Sequence, residues 1–416
     1  MRGMSSANAS PRTSSADMAA PQSMQVFSER NACSAVEVVG DVRQTVTAEF
    51  RRDWRKLAAE AGTPNAFAEP FFVEAALQRL VRPGKVKLVA FADDHGLIGL
   101  LPLTVSAPIP GIGRVANRFM HIHDFDGTPL VRRGSEALFR TKLGAWLKHE
   151  GIAFLRLRDV EETSPVIDGL LNEEDQTLQA AVVARLVRAS LHLGSGGLEA
   201  MQSGKKRRGM QRRKRRLQEL GELSFVDLSA QPPSAWADDF LTLEASGWKG
   251  EMGTAIACRP QERAFFEKMV EAGSASGNLI VHALELDGRR ISMTLYLRAG
   301  DGAWGFKKAY ASDLARCSPG FVLEAESAAA LQAQGELAFV DTCSIDAATL
   351  VPGLWPQERA MADIVVAVGS ARKWLKSAVW LEETYRARRR DLRSLYVRLK
   401  RLPAQARRDR PAATHN

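Results

Sequence analysis

Apolar and polar positions alternate in two stretches of the chain that are built alike. Residues 85–105 (KVKLVAFADDHGLIGLLPLTV) and 278–297 (NLIVHALELDGRRISMTLYL) each contain two β-type runs joined by a short polar segment. The joining residues are DDHG (93–96) in the first stretch and DG (287–288) in the second. Glycine accepts the positive φ of a tight turn, so an Asp-Gly pair between β-type runs is a hairpin signal. The pattern therefore predicts two β-hairpins.

A helix and a strand are predicted to follow each hairpin after an intervening stretch. The two segments are SEALFRTKLGAWLKHEGIAFLRLRDV (135–160) and SPGFVLEAESAAALQAQGELAFVDTC (318–343). In both, a serine stands where it can cap the helix, a glycine stands where the helix can end, and a short apolar run follows. A further strand is predicted at 302–311, before the second helix. The repeat predicts an α/β fold with two related domains side by side.

Composition then divides the chain into four parts. Residues 1–34 are rich in Ser, Ala and Pro without periodicity, which is typical of a disordered leader. The N-terminal domain is predicted at 35–190 and the C-terminal domain at 191–367, including a basic interdomain helix at 203–220. Residues 368–416 are predicted to form a basic helical tail.

Each basic helix carries an apolar stripe that predicts how it packs. Met210, Leu217 and Leu220 fall near one stripe of the interdomain helix, which we expect to be its docking face. In the tail, Trp374, Ala378, Leu381 and Tyr385 share one face. Such a face predicts packing on the body of the protein, with peripheral membrane contact as the alternative.

Charge and cysteine content narrow the classes of function. The net charge of +9 favours anionic partners, among them CoA-type cofactors, nucleic acid and anionic membrane surfaces. The four cysteines are scattered without metal-ligand spacing, which argues against a disulfide framework and a structural zinc site. The N-terminal segment lacks an apolar signal-peptide core and no stretch of about 18 apolar residues occurs, so we expect a cytoplasmic protein without transmembrane helices.

The start of the second predicted helix suits an anion. Ser318 fits the N-cap, Pro319 fits the first turn, and Gly320 allows close approach to the backbone. Helix N-termini direct N–H groups and positive dipole at one point, which suits phosphates. A capped helix that binds nothing is the alternative.

Four segments in order carry a family resemblance. The hairpin, the strand GAWGFKKAYA, the Ser-Pro-Gly turn and the next helix and strand resemble the core of the GNAT (N-acetyltransferase) fold. The sequence is most similar to the cellulose-biosynthesis CelD-like branch, near the FemAB-like tandem transferases, whose pattern is K-x-A-Y, a spacer and Y-S-P-G. Lys308, Ala309, Tyr310 and 318–320 stand in those places, with Cys317 where the branch often has Tyr. The segments 241–256 (LTLEASGWKGEMGTAI) and 341–367 (DTCSIDAATLVPGLWPQERAMADIVVA) resemble two further segments of that branch.

The resemblance implies two tandem GNAT-like domains with mixed sheets flanked by helices, and an acyl transfer from acyl-CoA without a metal. The acceptor, an amine or a hydroxyl, is expected in the cleft between the domains and is a small molecule or a polysaccharide precursor. Candidate catalytic residues are Glu244, Lys308, Tyr310 and Asp341. Candidate cofactor-binding residues are Arg316, Ser318, Pro319, Gly320 and Phe321. Candidate substrate-binding residues are Trp248, Lys249, His123 and Asp126.

Alternatives remain open at several of these positions. The branch commonly has His where this chain has 347–349 (AAT), which removes one candidate acid–base group and keeps a non-catalytic glycan or protein binder in view. Aminoacyl transfer from a charged tRNA is the second alternative function. The basic helix would then contact the RNA backbone, although this helix lacks interleaved aromatic residues. The segment 121–129 (HIHDFDGTP) suits a structural or cleft-lining role better than a metal site. No His lies close to Cys343 in the sequence to activate it as a nucleophile.

Overall fold

The computed structural model describes residues 25–26, 35–38, 46–108, 110–172, 177–194, 204–344, 350–351 and 353–401. Its α-helices are α1 (Ala48–Ala59), α2 (Pro70–Arg79), α3 (Glu136–His149), α4 (Pro165–Asn172), α5 (Gly204–Gln218), α6 (Ala237–Ala245), α7 (Trp248–Glu251), α8 (Pro260–Ala275), α9 (Pro319–Gln334) and α10 (Leu375–Arg401). Its strands are β1 (Gln25–Val26), β2 (Ala35–Val38), β3 (Lys87–Asp93), β4 (Gly96–Val105), β5 (Arg114–Arg118), β6 (Leu130–Val131), β7 (Ile152–Glu161), β8 (Leu178–His192), β9 (Leu223–Asp227), β10 (Leu279–Leu286), β11 (Arg289–Ala299), β12 (Gly302–Tyr310), β13 (Phe339–Asp341) and β14 (Gln357–Val368).

All of these strands belong to one mixed sheet. Their order is β1-β2-β3-β4-β5-β7-β14-β8-β13-β12-β11-β10-β9, with β6 beside β4. Within the described residues, β5 pairs with β7 and β12 with β13 in parallel, and the other pairs are antiparallel. Helices α3 and α9 each connect the two strands of a parallel pair, as such crossovers require. The predicted α/β class with a mixed sheet flanked by helices is confirmed.

The two predicted hairpins are present, and each opens an equivalent unit. Strands β3 and β4 pair across the first turn, and β10 and β11 pair across the second. Asp287 and Gly288 have φ values of 51° and 76°, the left-handed pair that a type I′ turn requires. The order β3-β4-β5-α3-β7 in the first unit recurs as β10-β11-β12-α9-β13 in the second.

The two units are joined through strands that belong to neither hairpin. Strand β14, from the end of the second half of the sequence, lies antiparallel between β7 and β8 of the first half. Strand β8 in turn pairs with β13 at its last residues. Strand β8 contains residue 190, so the sheet continues across the predicted domain limit there. The domain limits at 190 and 367 remain predictions.

Three local predictions need correction. Within the predicted leader 1–34, Gln25–Val26 pairs with β2, so disorder does not extend to these two residues; the rest of the leader lies outside the described residues. Ser135 and Ser318 occupy the N-cap positions of α3 and α9, but neither side chain makes a capping hydrogen bond. In α5, Leu217 is fully buried and Met210 half-buried as predicted, whereas Leu220 lies beyond the end of the helix and is 52% exposed.

The predicted packing face of α10 is wrong. Trp374, Leu381 and Tyr385 are 56–59% exposed, and only Ala378 of that face is half-buried. The helix instead turns Leu375 and Glu382 to the sheet. The carboxylate of Glu382 binds Arg156 at 2.8 Å and Arg158 at 3.5 Å, both on β7, so this side of the helix meets the sheet and the predicted stripe faces outward.

A buried group of ion pairs lies where the two units meet. Arg359 of β14 contacts the carboxylates of Asp341 at 3.1 Å, Glu161 at 2.5 Å and Asp126 at 3.6 Å. These carboxylates raise the pKa of Arg359 against the opposing effect of burial, which is the larger single influence. Arg188 of β8 adds a second cation 3.9 Å from Asp341.

Replacing Arg359 by methionine is expected to destabilise the protein strongly. The change leaves buried carboxylates without their main counter-charge, a loss of about 3–5 kcal/mol in the free energy of unfolding. The matched control is Arg289→Met, which removes an exposed pair with Asp313 at 2.9 Å and should cost less than about 1 kcal/mol. Urea unfolding of both variants tests this, and equal losses would contradict the assigned role of Arg359.

Candidate functional site

The parallel strands β12 and β13 separate after a short paired stretch. Only Gly302–Trp304 of β12 pair with Phe339–Asp341 of β13. Beyond Asp341 the chain turns away, because Thr342 donates from both its N–H (3.2 Å) and its hydroxyl (2.8 Å) to the carbonyl of Ala189 on β8. Strand β12 continues to Tyr310, so a cleft opens between it and Thr342.

A β-bulge in β12 lies at the mouth of this cleft. Tyr296 of β11 is opposite Gly305, but the next partner, Leu295, is opposite Lys307, so Phe306 is the extra residue. Bulges bend a strand and redirect its side chains. A Cβ at Gly305 would lie 3.2 Å from the carbonyl oxygen of Thr342, so glycine lets the two chains approach here before they diverge.

A cavity of about 170 Å³ occupies the cleft. Its walls come from β11, β12, α9 and the segments that follow β13 and precede β14. The described lining residues are Thr294, Tyr296, Gly305, Phe306, Lys307, Lys308, Glu324, Thr342, Ser344, Leu350 and Trp355. The cavity thus combines apolar walls with a few convergent polar groups, the usual composition of a small-molecule site.

Glu324 of α9 is the most connected polar group of the cavity. Its buried carboxylate accepts from the ammonium of Lys308, from the N–H of Val351 at 3.0 Å and from the indole N–H of Trp355 at 2.5 Å. Hydrogen bonds to an ionised acceptor are the stronger kind. The carboxylate therefore fixes the Lys308 side chain and ties the segment after the cleft to α9.

Tyr296 forms part of the cavity wall on β11. Burial and the negative charge of Glu324 raise the pKa of its hydroxyl above the ordinary value, while the neighbouring polar side chains of Thr294 and Ser327 oppose the shift. The phenol is therefore a proton-bearing donor across the physiological range.

The Ser-Pro-Gly turn lies beside the same cleft. Ser318 has a left-handed backbone (φ 56°), and Pro319 and Gly320 form the buried first turn of α9. A Cβ at Gly320 would lie 3.4 Å from the ring of Tyr310 and 3.9 Å from the side chain of Lys308. The structure thus brings the predicted residues Lys308, Tyr310 and Gly320 together at the start of α9.

The other predicted cofactor residues lie on the surface around this turn. Arg316 is exposed in the 3₁₀ turn before α9. Phe321 is half-buried, with the ammonium of Lys308 at 5.9 Å and the guanidinium of Arg213 at 5.7 Å from its ring centre. Cation–π contacts of this kind fix aromatic and basic side chains relative to one another.

The basic helix α5 packs along α9. Lys214 forms an ion pair with Glu326 at 2.8 Å, and Arg213 covers Phe321. A group of arginines on the remaining surface of α5 is exposed: Arg207, Arg208, Arg212, Arg215 and Arg216. The helix that packs against the first turns of α9 is therefore strongly basic.

Asp341 and Cys343 have a structural environment at the base of the cleft. Asp341 is fully buried, bound by Arg359, and accepts from the N–H of Cys343 at 2.7 Å. Burial and the neighbouring Asp341 raise the pKa of the Cys343 thiol well above its usual value, so the thiolate is disfavoured. Neither residue is among the described residues that line the cavity.

Other predicted site residues are placed elsewhere in the fold. Glu244 is buried on α6 and accepts from the N–H of Ile256 at 2.9 Å. Trp248 and Lys249 form the start of the one-turn helix α7. His123 is buried against Phe265 (ring centres 5.5 Å apart) and 3.2 Å from the carboxylate of Glu262.

Asp126 closes a turn rather than lining the cavity. Its Oδ1 accepts from the N–H (3.0 Å) and the hydroxyl (2.6 Å) of Thr128. Its other oxygen is directed to Arg359 at 3.6 Å. Among the residues that the structure describes, no group of three or more His, Cys, Asp and Glu side chains is arranged to hold a metal.

A second, larger cavity of about 570 Å³ lies between α1, α2 and α8. Its charged groups include Arg51, which binds the carboxylate of Glu74 at 2.6 and 2.7 Å. Burial raises the pKa of Glu69 in its wall to about 7, against the effect of Arg55. None of the predicted site residues lines it, whereas Lys308 lines the cavity beside β12 and the predicted residues Tyr310 and Gly320 lie next to Lys308.

Sequence reasoning missed Glu324, Tyr296 and Trp355. Glu324 and Glu326 are the two carboxylates of α9, and Glu324 is a detectable signal because it stands among the buried positions of an apolar, alanine-rich helix. The sequence around Trp355 and Tyr296 has no comparable signal, because only the tertiary fold brings these residues close to Glu324. The segment 347–349, where the resembling branch has His, lies outside the described residues.

Part of the chain matches a known protein family, and most residues that line the cleft lie within the matched range. Residues 204–347 match the family model described as "Acetyltransferase (GNAT) domain". The match begins at α5 and includes β9 to β13, and it does not distinguish the CelD-like branch. Among curated protein sequences, none is significantly similar to this chain.

Solved structures with similar folds cover most of the chain. One is FemX, with 10% sequence identity, a TM-score of 0.51, and coverage of 78% of this chain and 97% of that chain. Another is L-PGS from Bacillus licheniformis (13% identity, TM-score 0.46, 80% and 95% covered). A third is a tandem GNAT protein from the clavulanic acid biosynthesis pathway, with 11% identity, a TM-score of 0.37, and coverage of 81% of this chain and 99% of that chain. At these identities the similarity to FemX concerns the fold alone.

Proposed function

We propose that this chain is an acyltransferase that moves an acyl group, in the first instance acetyl, from acyl-CoA to an amine or hydroxyl acceptor. The observation that carries the proposal is the separation of β12 from β13 beside the Ser-Pro-Gly start of α9. This opening provides an apolar cavity for an acyl chain next to a helix N-terminus for a phosphate. The match of residues 204–347 to the acetyltransferase domain supports it. The CelD-like branch remains our assignment within that group.

The donor is expected to enter along the start of α9. Its pyrophosphate would meet the first turn, Ser318 to Phe321, while Arg316 and the exposed arginines of α5 provide positive potential. The thioester end would extend into the cleft beside the bulge at Phe306. This arrangement uses the five residues assigned to the cofactor from the sequence.

The chemistry is a direct transfer in a ternary complex. The acceptor nitrogen or oxygen attacks the thioester carbonyl, a new C–N or C–O bond forms, and the C–S bond breaks to release CoA. The proton leaves the acceptor, and the leaving sulfur takes up a proton. Since the pKa of Cys343 is raised, we assign it no covalent step.

The Glu324–Lys308 pair is the group best placed to assist that transfer. Both residues line the cavity, and Glu324 fixes the position of the Lys308 ammonium. We assign Lys308 and the Tyr296 hydroxyl as donors toward the developing oxyanion, with Glu324 as the positioning carboxylate. Asp341, bound by Arg359, is left out of the mechanism. Glu244, Tyr310, Trp248, Lys249, His123 and Asp126 keep their predicted roles only as hypotheses.

Binding of CoA compounds tests the donor. Purified protein titrated with acetyl-CoA, a longer acyl-CoA and free CoA should melt at a higher temperature, because a ligand of the native state stabilises it by about 2.7 kcal/mol at a concentration of 100 Kd. Gly320→Leu should abolish the shift, since its side chain would press on Tyr310. Gly194→Leu is the matched control, because no described atom lies within 4 Å of a Cβ there. If no CoA compound binds at millimolar concentration, the acyl-CoA proposal is wrong.

Substitution of the cavity pair tests the chemistry. Lys308→Met and Glu324→Gln should each lower the rate of CoA release with an amine acceptor by roughly 10²-fold. The double variant should lose little more, since the pair acts as one unit. Glu326→Gln, a carboxylate of the same helix that binds Lys214 outside the cavity, is the control. Unchanged rates in the single variants would remove the pair from the mechanism, and a protein without any transferase activity would favour the binding-only alternative.

Aminoacyl transfer from a charged tRNA is the second candidate. The five exposed arginines of α5 favour it, because this helix packs on α9 through Lys214 and Arg213. Affinity for tRNA should then fall steeply with salt, with a log–log slope of about −0.7 to −0.9 per phosphate contact, and Arg212→Gln should flatten the slope. Salt-dependent tRNA binding without any CoA binding would replace the acyl-CoA proposal by this one.

A further inference from the structure

Helix α10 presents an apolar and aromatic face that the rest of the described chain leaves uncovered. Trp374, just before its first residue, is 56% exposed, and Trp380, Leu381 and Tyr385 are 62%, 59% and 56% exposed. The opposite side of the helix holds it to the sheet through Leu375, which is buried, and through Glu382. The orientation of the exposed face is therefore fixed by contacts and is not a free end.

Positive charge surrounds this face. Between 371 and 389 the exposed charged side chains are four cations, Lys373, Lys376, Arg388 and Arg389, and one carboxylate, Glu383. The other carboxylate of this stretch, Glu382, is turned inward onto two arginines. The ammonium of Lys373 lies 5.7 Å from the ring centre of Trp374, so cation and aromatic ring stand together at one end.

We infer that this face of α10, defined by Trp374, Trp380, Leu381 and Tyr385, docks on an anionic membrane surface. Trp and Tyr rings are amphipathic and favour the headgroup level of a bilayer, where the flanking cations meet anionic phosphates. A helix with an apolar face and basic flanks binds in the plane of the interface without crossing it. In the part of the chain that the structure describes, no helix is both long and apolar enough to cross a membrane.

The chemistry of the face favours lipid over another protein chain. A hydrophobic surface that contacts a protein partner is usually depleted of charge at its centre, whereas at 3.6 residues per turn the exposed cation Arg388 falls between Trp380 and Leu381 on this face. The excess of cations over carboxylates complements an anionic bilayer and disfavours a second copy of the same face, because like charges would meet across a two-fold contact. The inference is independent of the proposed acyl transfer.

Vesicle sedimentation of the full chain tests the inference. The protein should pellet with vesicles that contain phosphatidylglycerol and remain in solution with phosphatidylcholine alone, at physiological ionic strength. The double substitution Trp380→Ser with Leu381→Ser should weaken partitioning by at least about tenfold, since both side chains are exposed and their apolar contribution is lost. Arg388→Gln should weaken it about fivefold through the loss of one charge.

The matched control is Leu138→Ser, which makes the same chemical change at a 41% exposed position of α3 and should leave partitioning unchanged. Circular dichroism and melting temperature establish that each variant is folded. Absence of binding to anionic vesicles, or undiminished binding by the double variant, overturns the inference. A concentration-dependent dimer in sedimentation velocity that the double substitution abolishes would also overturn it, since the face would then contact protein.

Discussion

The buried ion pair between Arg359 and Asp341 controls the geometry on which the cleft depends. Arg359 belongs to β14, the strand that joins the two units, and Asp341 is the last residue of β13. The same carboxylate accepts from the N–H of Cys343, whose left-handed backbone (φ 53°) turns the chain away from β12. Because charge buried at this depth must stay paired, the turn is fixed, and the separation of β12 from β13 follows from it.

The shared sheet explains why two similar units form one functional surface. Since β14 lies between β7 and β8 and pairs with both, the second unit cannot move as a rigid body without breaking backbone hydrogen bonds of these strands. The helices that carry positive charge then lie at defined places: α5 beside the start of α9, and α10 across β8 and β14. One basic region thus borders the proposed donor site, and the other borders an exposed aromatic face.

Much of the local structure could be predicted from sequence because its causes are local. Alternating apolar positions and an Asp-Gly turn specify a hairpin. A glycine after a helical segment predicts the end of the helix, and α9 does end at Gly335, whose φ is 68°. The capping roles of Ser135 and Ser318 were wrong because a capping hydrogen bond depends on the conformation of the cap residue. Ser318 adopts a left-handed backbone, which differs from the extended conformation of an ordinary N-cap.

The sequence by itself determined the fold class, the repeated order of hairpin, helix and strand, and the Ser-Pro-Gly turn beside Lys308 and Tyr310. Tertiary structure decided which polar groups meet, because pairing across long sequence separations brings Glu324 to Trp355 and Arg359 to both Asp341 and Glu161. It also decided that the apolar face of α10 points outward, since Leu375 and the ion pairs of Glu382 with β7 are on the side of the helix that meets the sheet. Periodicity identifies which residues share a helix face, whereas the direction of that face depends on partners distant in the chain.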